Sequence, residues 1–344
     1  MDQVKPATGS LDIGSRTAIW KGPALIGLAL LMLVVVAPSF MSSYSLRFAA
    51  LAFMYLALAQ SWNLIGGYGG LMSLAMPAFF GSGAIVSGIL VTSGVHAVPA
   101  LMGGTLVALV VAALIAVPTL RLQGHYFVVA TILITEALRH LILNVNAFGF
   151  SGNITLNLFN HTGLADLEPW QYNRFFYYAM FALALISMIT VWILERSRWG
   201  YALRSVRDNE RAAGTLGIAA ARQKLYVFLL SAGMAALVGG TWAFWLGAVE
   251  TNDAFSFTFA FDVIVMVFLG GRGTLWGPVA GVGLVLAVNE WIGVGFPEIH
   301  LVISGLLVTL VVLFLPDGLI SLKDGVRALA PSQLMKNLRR YEVK

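Results

Sequence analysis

Between two long apolar segments lies Glu195–Lys224, ERSRWGYALRSVRDNERAAGTLGIAAARQK. It holds seven Lys/Arg (Arg196, Arg198, Arg204, Arg207, Arg211, Arg222 and Lys224), a third of the chain's 21. Leu203, Val206, Glu210, Ala213 and Gly217 recur at spacings of three, four, three and four, the period of one helix face. Arg204, Arg207, Asp208 and Arg211 point away from that face. A short amphipathic helix in a basic loop between apolar segments is a docking element for something in the cytoplasm.

The remainder reads as the membrane machine that such an element drives. The 344 residues are 59% hydrophobic and 11% charged, with a mean hydropathy of +0.84, whereas soluble domains carry roughly 25% charged residues. The chain is therefore expected to be an all-α polytopic membrane protein. With no Cys, it has no disulfide framework, thiol nucleophile or thiolate metal site. The five His (His96, His125, His140, His161, His300) lack metal-binding spacing. A net charge of +5 suggests cytoplasmic basic loops rather than nucleic acid as partner.

A membrane span needs about 20 mainly apolar residues. Ten segments qualify, near 23–40, 46–65, 71–92, 97–118, 124–145, 174–194, 224–248, 258–270, 275–294 and 299–316. The first lies too far from the start and is too long for a signal-peptide core, so it reads as an uncleaved span. The third is interrupted by Pro77, Gly81 and Gly83 and is expected to be broken or kinked. The eighth is short and Gly-terminated. With both termini cytoplasmic, 18 of the 21 Lys/Arg fall inside, leaving Arg47, Arg139 and Arg174 outside or within a span. The expected organisation is an N-terminal tail (1–22), a membrane domain (23–316) with a cytoplasmic loop (195–224) and an external loop (144–173), and a C-terminal tail (317–344). The external loop is Asn-rich, large enough for a small cap, and contains the glycosylation-like triplets Asn153–Thr155 and Asn160–Thr162.

Few residues suggest chemistry. Gly66–Gly70 (GGYGG) and Gly81-Ser-Gly83 have no phosphate-loop Lys-Ser/Thr after them. These glycines permit close backbone approach in the membrane, or an unwound backbone lining a pathway. Glu136, Arg139 and His140 share one face of the fifth span. Glu136 lies about 18 Å along from Gly124, past the bilayer middle. A local Glu136–Arg139 pair and a substrate-pathway role are the two readings. Asp262 and Glu290, the latter beside Asn289, sit near span ends. No Ser-His-Asp grouping or spaced carboxylate pair is present, so enzyme activity is not expected.

Five stretches, in order, resemble the branched-chain amino-acid permease family of ABC importers, in particular its LivM-type subunit. They are GYGGLMSLAMPAFFGSGA (67–84), RLQGHYFVVATILITEALRHLI (121–142), RSVRDNERAAGTLGI (204–218), VFLGGRGTLWGPVAGV (267–282) and FLPDGL (314–319). The resemblance spans nearly the whole chain. It implies that 204–218 is the coupling loop, similar to a Glu-Ala-Ala-x-x-x-Gly pattern. Arg207, Asp208, Asn209, Glu210, Ala212, Ala213 and Gly217 would then meet the ATPase, with Ala213 and Gly217 allowing close approach. Gly67, Gly70, Ser73, Phe79, Gly81, Gly83, Thr131 and Glu136 are candidates for the translocation path.

The implied partners are a homologous second permease (LivH-like), two cytoplasmic ATP-binding subunits that hold ATP and Mg, and a periplasmic substrate-binding protein. No cofactor is expected on this chain itself, and the bacterial inner membrane is the implied location. One departure bears on cargo. Where the family shows a Thr-Gly-Gly…Gly-Leu pattern, Phe148–Leu156 reads FGFSGNITL, and related systems carry urea, short amides or aromatic acids. An ion-coupled carrier, or a membrane scaffold or receptor, are the competing classes. A carrier would need charged residues near the midplane.

Overall fold

The computed structural model describes residues 34–122, 124–144, 153–155, 168–295 and 318–319. Two units, 1–46 and 47–344, are distinguished. In the first, a 3-10 turn, Ala37–Ser39, precedes the first residues of helix α1 (Ser43–Trp62). The Ser42 hydroxyl caps that helix by accepting from the Ser45 amide at 3.2 Å.

The second unit continues α1 into a π-helical turn, Asn63–Tyr68. Then follow α2 (Met76–Thr92), α3 (Ala97–Thr119), α4 (His125–Asn144) and α5 (Pro169–Arg196). The basic loop forms α6 (Arg198–Asp208) and α7 (Glu210–Thr215). Beyond it run α8 (Ala220–Leu246), the short α9 (Thr251–Ala254), α10 (Phe257–Gly270) and α11 (Gly277–Gly295). Among the described residues, six helical segments are long and apolar enough to cross a membrane, and Met76–Thr92 and Gly277–Glu290 are shorter apolar helices. The expected first span falls mostly, and the tenth wholly, outside the described residues.

Small residues decide which helices meet. On α3, Ala100, Gly104, Ala108 and Ala112 are buried, while Leu106, Val110, Leu114 and Val117 are exposed. Large side chains therefore face outward and small ones face the bundle, as expected where lipid is as apolar as leucine. At the crossing of α2 with α8, a Cβ on Gly83 would fall within 3.0 Å of the Ala236 backbone, and one on Gly239 within 3.0 Å of the Phe80 carbonyl. The backbones touch there.

One expectation is corrected. Pro77, Gly81 and Gly83 do not break a helix. Pro77 stands in the first turn of α2, where its missing N–H costs nothing, and the two glycines lie within a continuous helix. The interruption is the non-helical stretch 69–75. The fold is all-α as expected, with one short strand pair among the described residues, β1 (Asn153–Thr155) antiparallel to β2 (Ala248–Glu250), Ile154 opposite Val249.

Most of the stretch between α1 and α2 is buried, Gly70 excepted, so its backbone groups need partners. The Gly69 amide donates to the Leu64 carbonyl (3.0 Å) and the Leu71 amide to that of Ile65 (3.0 Å). Trp62 Nε1 donates to the Ser73 carbonyl (2.8 Å), and the Leu74 amide to Thr131 Oγ1 (3.1 Å). Tryptophan and threonine side chains thus replace the missing helical bonds.

Candidate docking surface and the junction beneath it

The basic loop is two helices, not one. Asn209 is extended (φ −158°, ψ 102°), ends α6, and caps α7 by accepting from the Ala212 amide at 3.1 Å. Asparagine favours this position because its side chain replaces a missing intrahelical acceptor. The other end of α7 is closed by the Gly217 amide donating to the Gly214 carbonyl (3.0 Å) and the Ile218 amide to that of Ala213 (3.1 Å). This double bond pattern needs a left-handed residue, and Gly217 supplies it at φ +79°.

The single face through Leu203, Val206, Glu210, Ala213 and Gly217 is therefore corrected. Leu203 and Val206 are buried, Leu203 packing with Leu64, Tyr68, Val191 and Val227. Ala213 is 2% exposed and buried in its own chain, and a Cβ on Gly217 would meet open space. Ala213 is thus packed against its own chain, while Gly217 stays on the exposed surface. The outward surface of this segment is instead Asp208, Asn209, Arg211, Ala212, Gly214, Thr215 and Leu216, the last 77% exposed. An exposed leucine flanked by small and charged residues is a surface that a protein groove can cover.

Two ion pairs hold this surface to the bundle. Lys224 Nζ, on a largely buried side chain, reaches Glu210 Oε2 at 2.7 Å. Arg204 Nη2 meets Glu195 Oε1 at 2.9 Å, its guanidinium 5.3 Å from the Tyr68 ring centre. Arg207 binds Asp208 through Nε (3.1 Å) and also reaches inward, Nη1 donating to the Gly67 carbonyl at 3.1 Å. Its aliphatic stem lies over Gly70, which adopts φ +68° with no room for a Cβ. Arg204 and Arg207 thus turn toward the bundle, contrary to the expectation that they point away from it.

Gly67 sits in a polar junction. The Gly273 amide donates to Asn63 Oδ1 (2.8 Å), Asn63 Nδ2 to the Thr274 carbonyl (2.9 Å), and Gln60 Nε2 to the Leu275 carbonyl (2.7 Å). The C-terminal end of α1, the start of the non-helical stretch, the 271–276 turn and the docking loop therefore meet around Asn63 and Gly67. A cavity of about 370 Å³ lies beside this junction, lined by Gly70, Leu71, Gly124, His125, Arg207 and Lys224 among others.

The remaining path candidates are distributed elsewhere. Phe79 is fully buried, edge-on to Phe228 at 5.2 Å. Gly81 packs under the Phe255 ring and Gly83 under the α8 backbone. Ser73 and Thr131 are buried, their side chains accepting amide hydrogens of Ala75 and Leu74. Each has a packing or backbone-satisfying role. Glu136 pairs with Arg139, whose Nη1 donates to Asn252 Oδ1 at 2.7 Å. That clasp ties the C-terminal half of α4 to α9. The junction residues Asn63 and Gly273 were not singled out from sequence, and Lys224 was read only as one of the basic residues of the loop. A buried Asn at the end of an apolar span was the available signal.

Residues 44–312 match the family described as "Branched-chain amino acid transport system / permease component". The chain is 27% identical over 315 residues to the high-affinity branched-chain amino acid transport system permease protein LivM of Escherichia coli (strain K12), covering 85% of this chain and 73% of that protein. The LivM protein of Salmonella typhimurium is 26% identical over the same length, with 85% and 74% covered. The E. coli (strain K12) permease protein LivH is 29% identical over 141 residues, 40% of this chain and 45% of that one. No solved structure matches.

Proposed function

The chain belongs to the branched-chain amino acid transport permease family as a LivM-type subunit of an ABC importer, and on that premise we propose that it is driven by cytoplasmic ATP-binding subunits docked on Asn209–Gly217. The observation that carries this reading is the geometry of α7. It is capped at both ends, exposed along Arg211–Leu216 apart from the buried Ala213, and clamped to the bundle by Glu210–Lys224.

Two ATP-binding subunits, holding ATP and Mg, would each engage one permease, this chain and a homologous LivH-like partner. A periplasmic binding protein would deliver branched-chain or related amino acids to the outer mouth at the bacterial inner membrane. Closure of the ATP-binding subunits pushes α7. Arg207 passes that displacement to Gly67 and hence to the non-helical stretch that ends at α2. Urea, short amides or aromatic acids are the competing cargoes. An ion-coupled carrier is disfavoured, because Glu136 is paired with Arg139 rather than standing alone.

The test is co-purification of the ATP-binding subunits from membranes carrying Leu216→Glu or Ala212→Trp. Both should cut recovery of those subunits at least tenfold while the chain stays in the membrane. Undiminished recovery with both variants would refute docking at α7.

A further inference from the structure

A cavity of about 450 Å³ lies where α5, α6 and α8 meet, at the ends of the two long helices next to the basic loop. Ile193, Trp199, Tyr226 and Leu230 line it and are all exposed, so it opens on the outside of the bundle. From Arg222 to Leu230 the recess runs about 12 Å along α8. Its hydroxyls are engaged with backbone. Thr190 Oγ1 donates to the Ile186 carbonyl (2.8 Å), and Ser197 Oγ donates to that of Leu194 (2.8 Å) while accepting from the Gly200 amide (3.1 Å). The wall that remains is apolar. At its loop end Trp199 stands edge-on to Tyr226, ring centres 4.9 Å apart, beside Gln223.

Charge is confined to that same end. Of the loop's seven cations, Arg204, Arg207 and Lys224 pair with carboxylates, Arg196 stacks on Trp192 at 4.5 Å, and Arg211 lies on the docking surface. Arg198 and Arg222 remain. Arg198 sits between the lining residues Ser197 and Trp199, and Arg222 one turn before Tyr226 on the same face of α8. Both are exposed and, among the described residues, have no carboxylate partner. An apolar recess with two arginines at one end fits an amphipathic anion, because guanidinium binds phosphate through paired N–H donors. Basic recesses between membrane helices take anionic headgroups, and Trp and Tyr stand at headgroup level. A zwitterionic lipid brings no net charge to the arginines. Free phosphate leaves the recess uncovered, and a helix of a second permease would have to carry carboxylates to match.

We propose that the recess between α5, α6 and α8 is an anionic-phospholipid site, in which Arg198 and Arg222 bind the headgroup phosphate and Trp199, Tyr226 and Leu230 hold an acyl chain. The inference goes beyond the importer reading and needs neither its cargo nor docking at α7. Leu203 lines the recess and packs with Leu64 and Tyr68, so a bound lipid fastens α6, and with it the start of α7, to the bundle.

Trp199 is a built-in probe. The full-length chain is reconstituted in phosphatidylcholine vesicles holding phosphatidylglycerol with brominated acyl chains or, at equal mole fraction, brominated phosphatidylcholine. The contribution of Trp199 is the difference in quenching between the wild type and Trp199→Phe. Phosphatidylglycerol should quench that contribution at least threefold more strongly than phosphatidylcholine, and added inorganic phosphate should not abolish the preference. Arg198→Gln with Arg222→Gln should make the two lipids equal. Ile193→Phe with Leu230→Phe, which fill the apolar end, should lower quenching by phosphatidylglycerol although both arginines are present. Equal quenching in the wild type would make the recess an ordinary lipid contact, and quenching by neither lipid would mean that protein covers it. A preference abolished by inorganic phosphate would assign the arginines to a soluble anion, and one kept without the arginines would remove their role. Each of these four results overturns the proposal.

Discussion

Arg207→Ala separates docking from transmission. The substitution removes the 3.1 Å bond from Nη1 to the Gly67 carbonyl and the stem that covers Gly70. A hydrogen bond to a charged group contributes about 1.5–3 kcal/mol. The Arg207 side chain is 34% exposed, so water can partly replace it and the lower end, about 1–2 kcal/mol, is expected. That loss leaves the chain folded and α7 untouched, because Asn209, Gly217 and Lys224 still hold it. Complexes bearing Arg207→Ala in proteoliposomes should therefore recruit the ATP-binding subunits at the wild-type level and hydrolyse ATP within about twofold, while uptake falls at least tenfold. Arg207→Lys, which keeps a point charge but not the fork, should be intermediate. Loss of subunit recruitment by Arg207→Ala, or uptake unchanged, would refute transmission through Gly67.

Three further outcomes follow from the same geometry. Gly217→Ala should cost about 1 kcal/mol at a left-handed position and raise amide exchange across 214–218, with Gly217→Asn milder; unchanged exchange would remove the capping role. Gly83→Leu and Gly239→Val should each destabilise the bundle by about 3 kcal/mol or more and deplete the chain from membranes, whereas Gly283→Ala, which meets open space, should be recovered normally; equal recovery of all three would contradict the backbone contact of α2 with α8. Glu136→Gln should change uptake less than about twofold, and a tenfold loss would restore Glu136 to the translocation path.

The sequence made the helical segments legible because apolar runs of span length admit little else, and α3, α4, α5 and α8 lie close to the expected bounds. Local punctuation was also present. Asn209 before Glu210 is a helix start and Gly217 a helix stop, but the apolar spacing across the loop suggested one continuous face and masked both. Pro77 was legible as a discontinuity, though its place in the first turn of α2 depends on Trp62 and Thr131 satisfying the stretch before it. The clip from Arg207 to Gly67 spans 140 residues and has no local signature. Nor does the Trp199–Tyr226 pair, whose helices only the packing of the bundle brings together. Glu136 and Arg139 show the reverse case, because their i,i+3 spacing announced the pair and only the contact with Asn252 required the fold.

In the proposed mechanism, ATP-driven displacement of the Asn209–Gly217 segment moves the cargo. The most direct measurement is leucine uptake by proteoliposomes containing the chain with a LivH-like permease, two ATP-binding subunits and a periplasmic binding protein. Uptake should require ATP on the side carrying residue 212 and should vanish with Leu216→Glu. Uptake by the chain alone on an ion gradient, or undiminished ATP-driven uptake with Leu216→Glu, would contradict it.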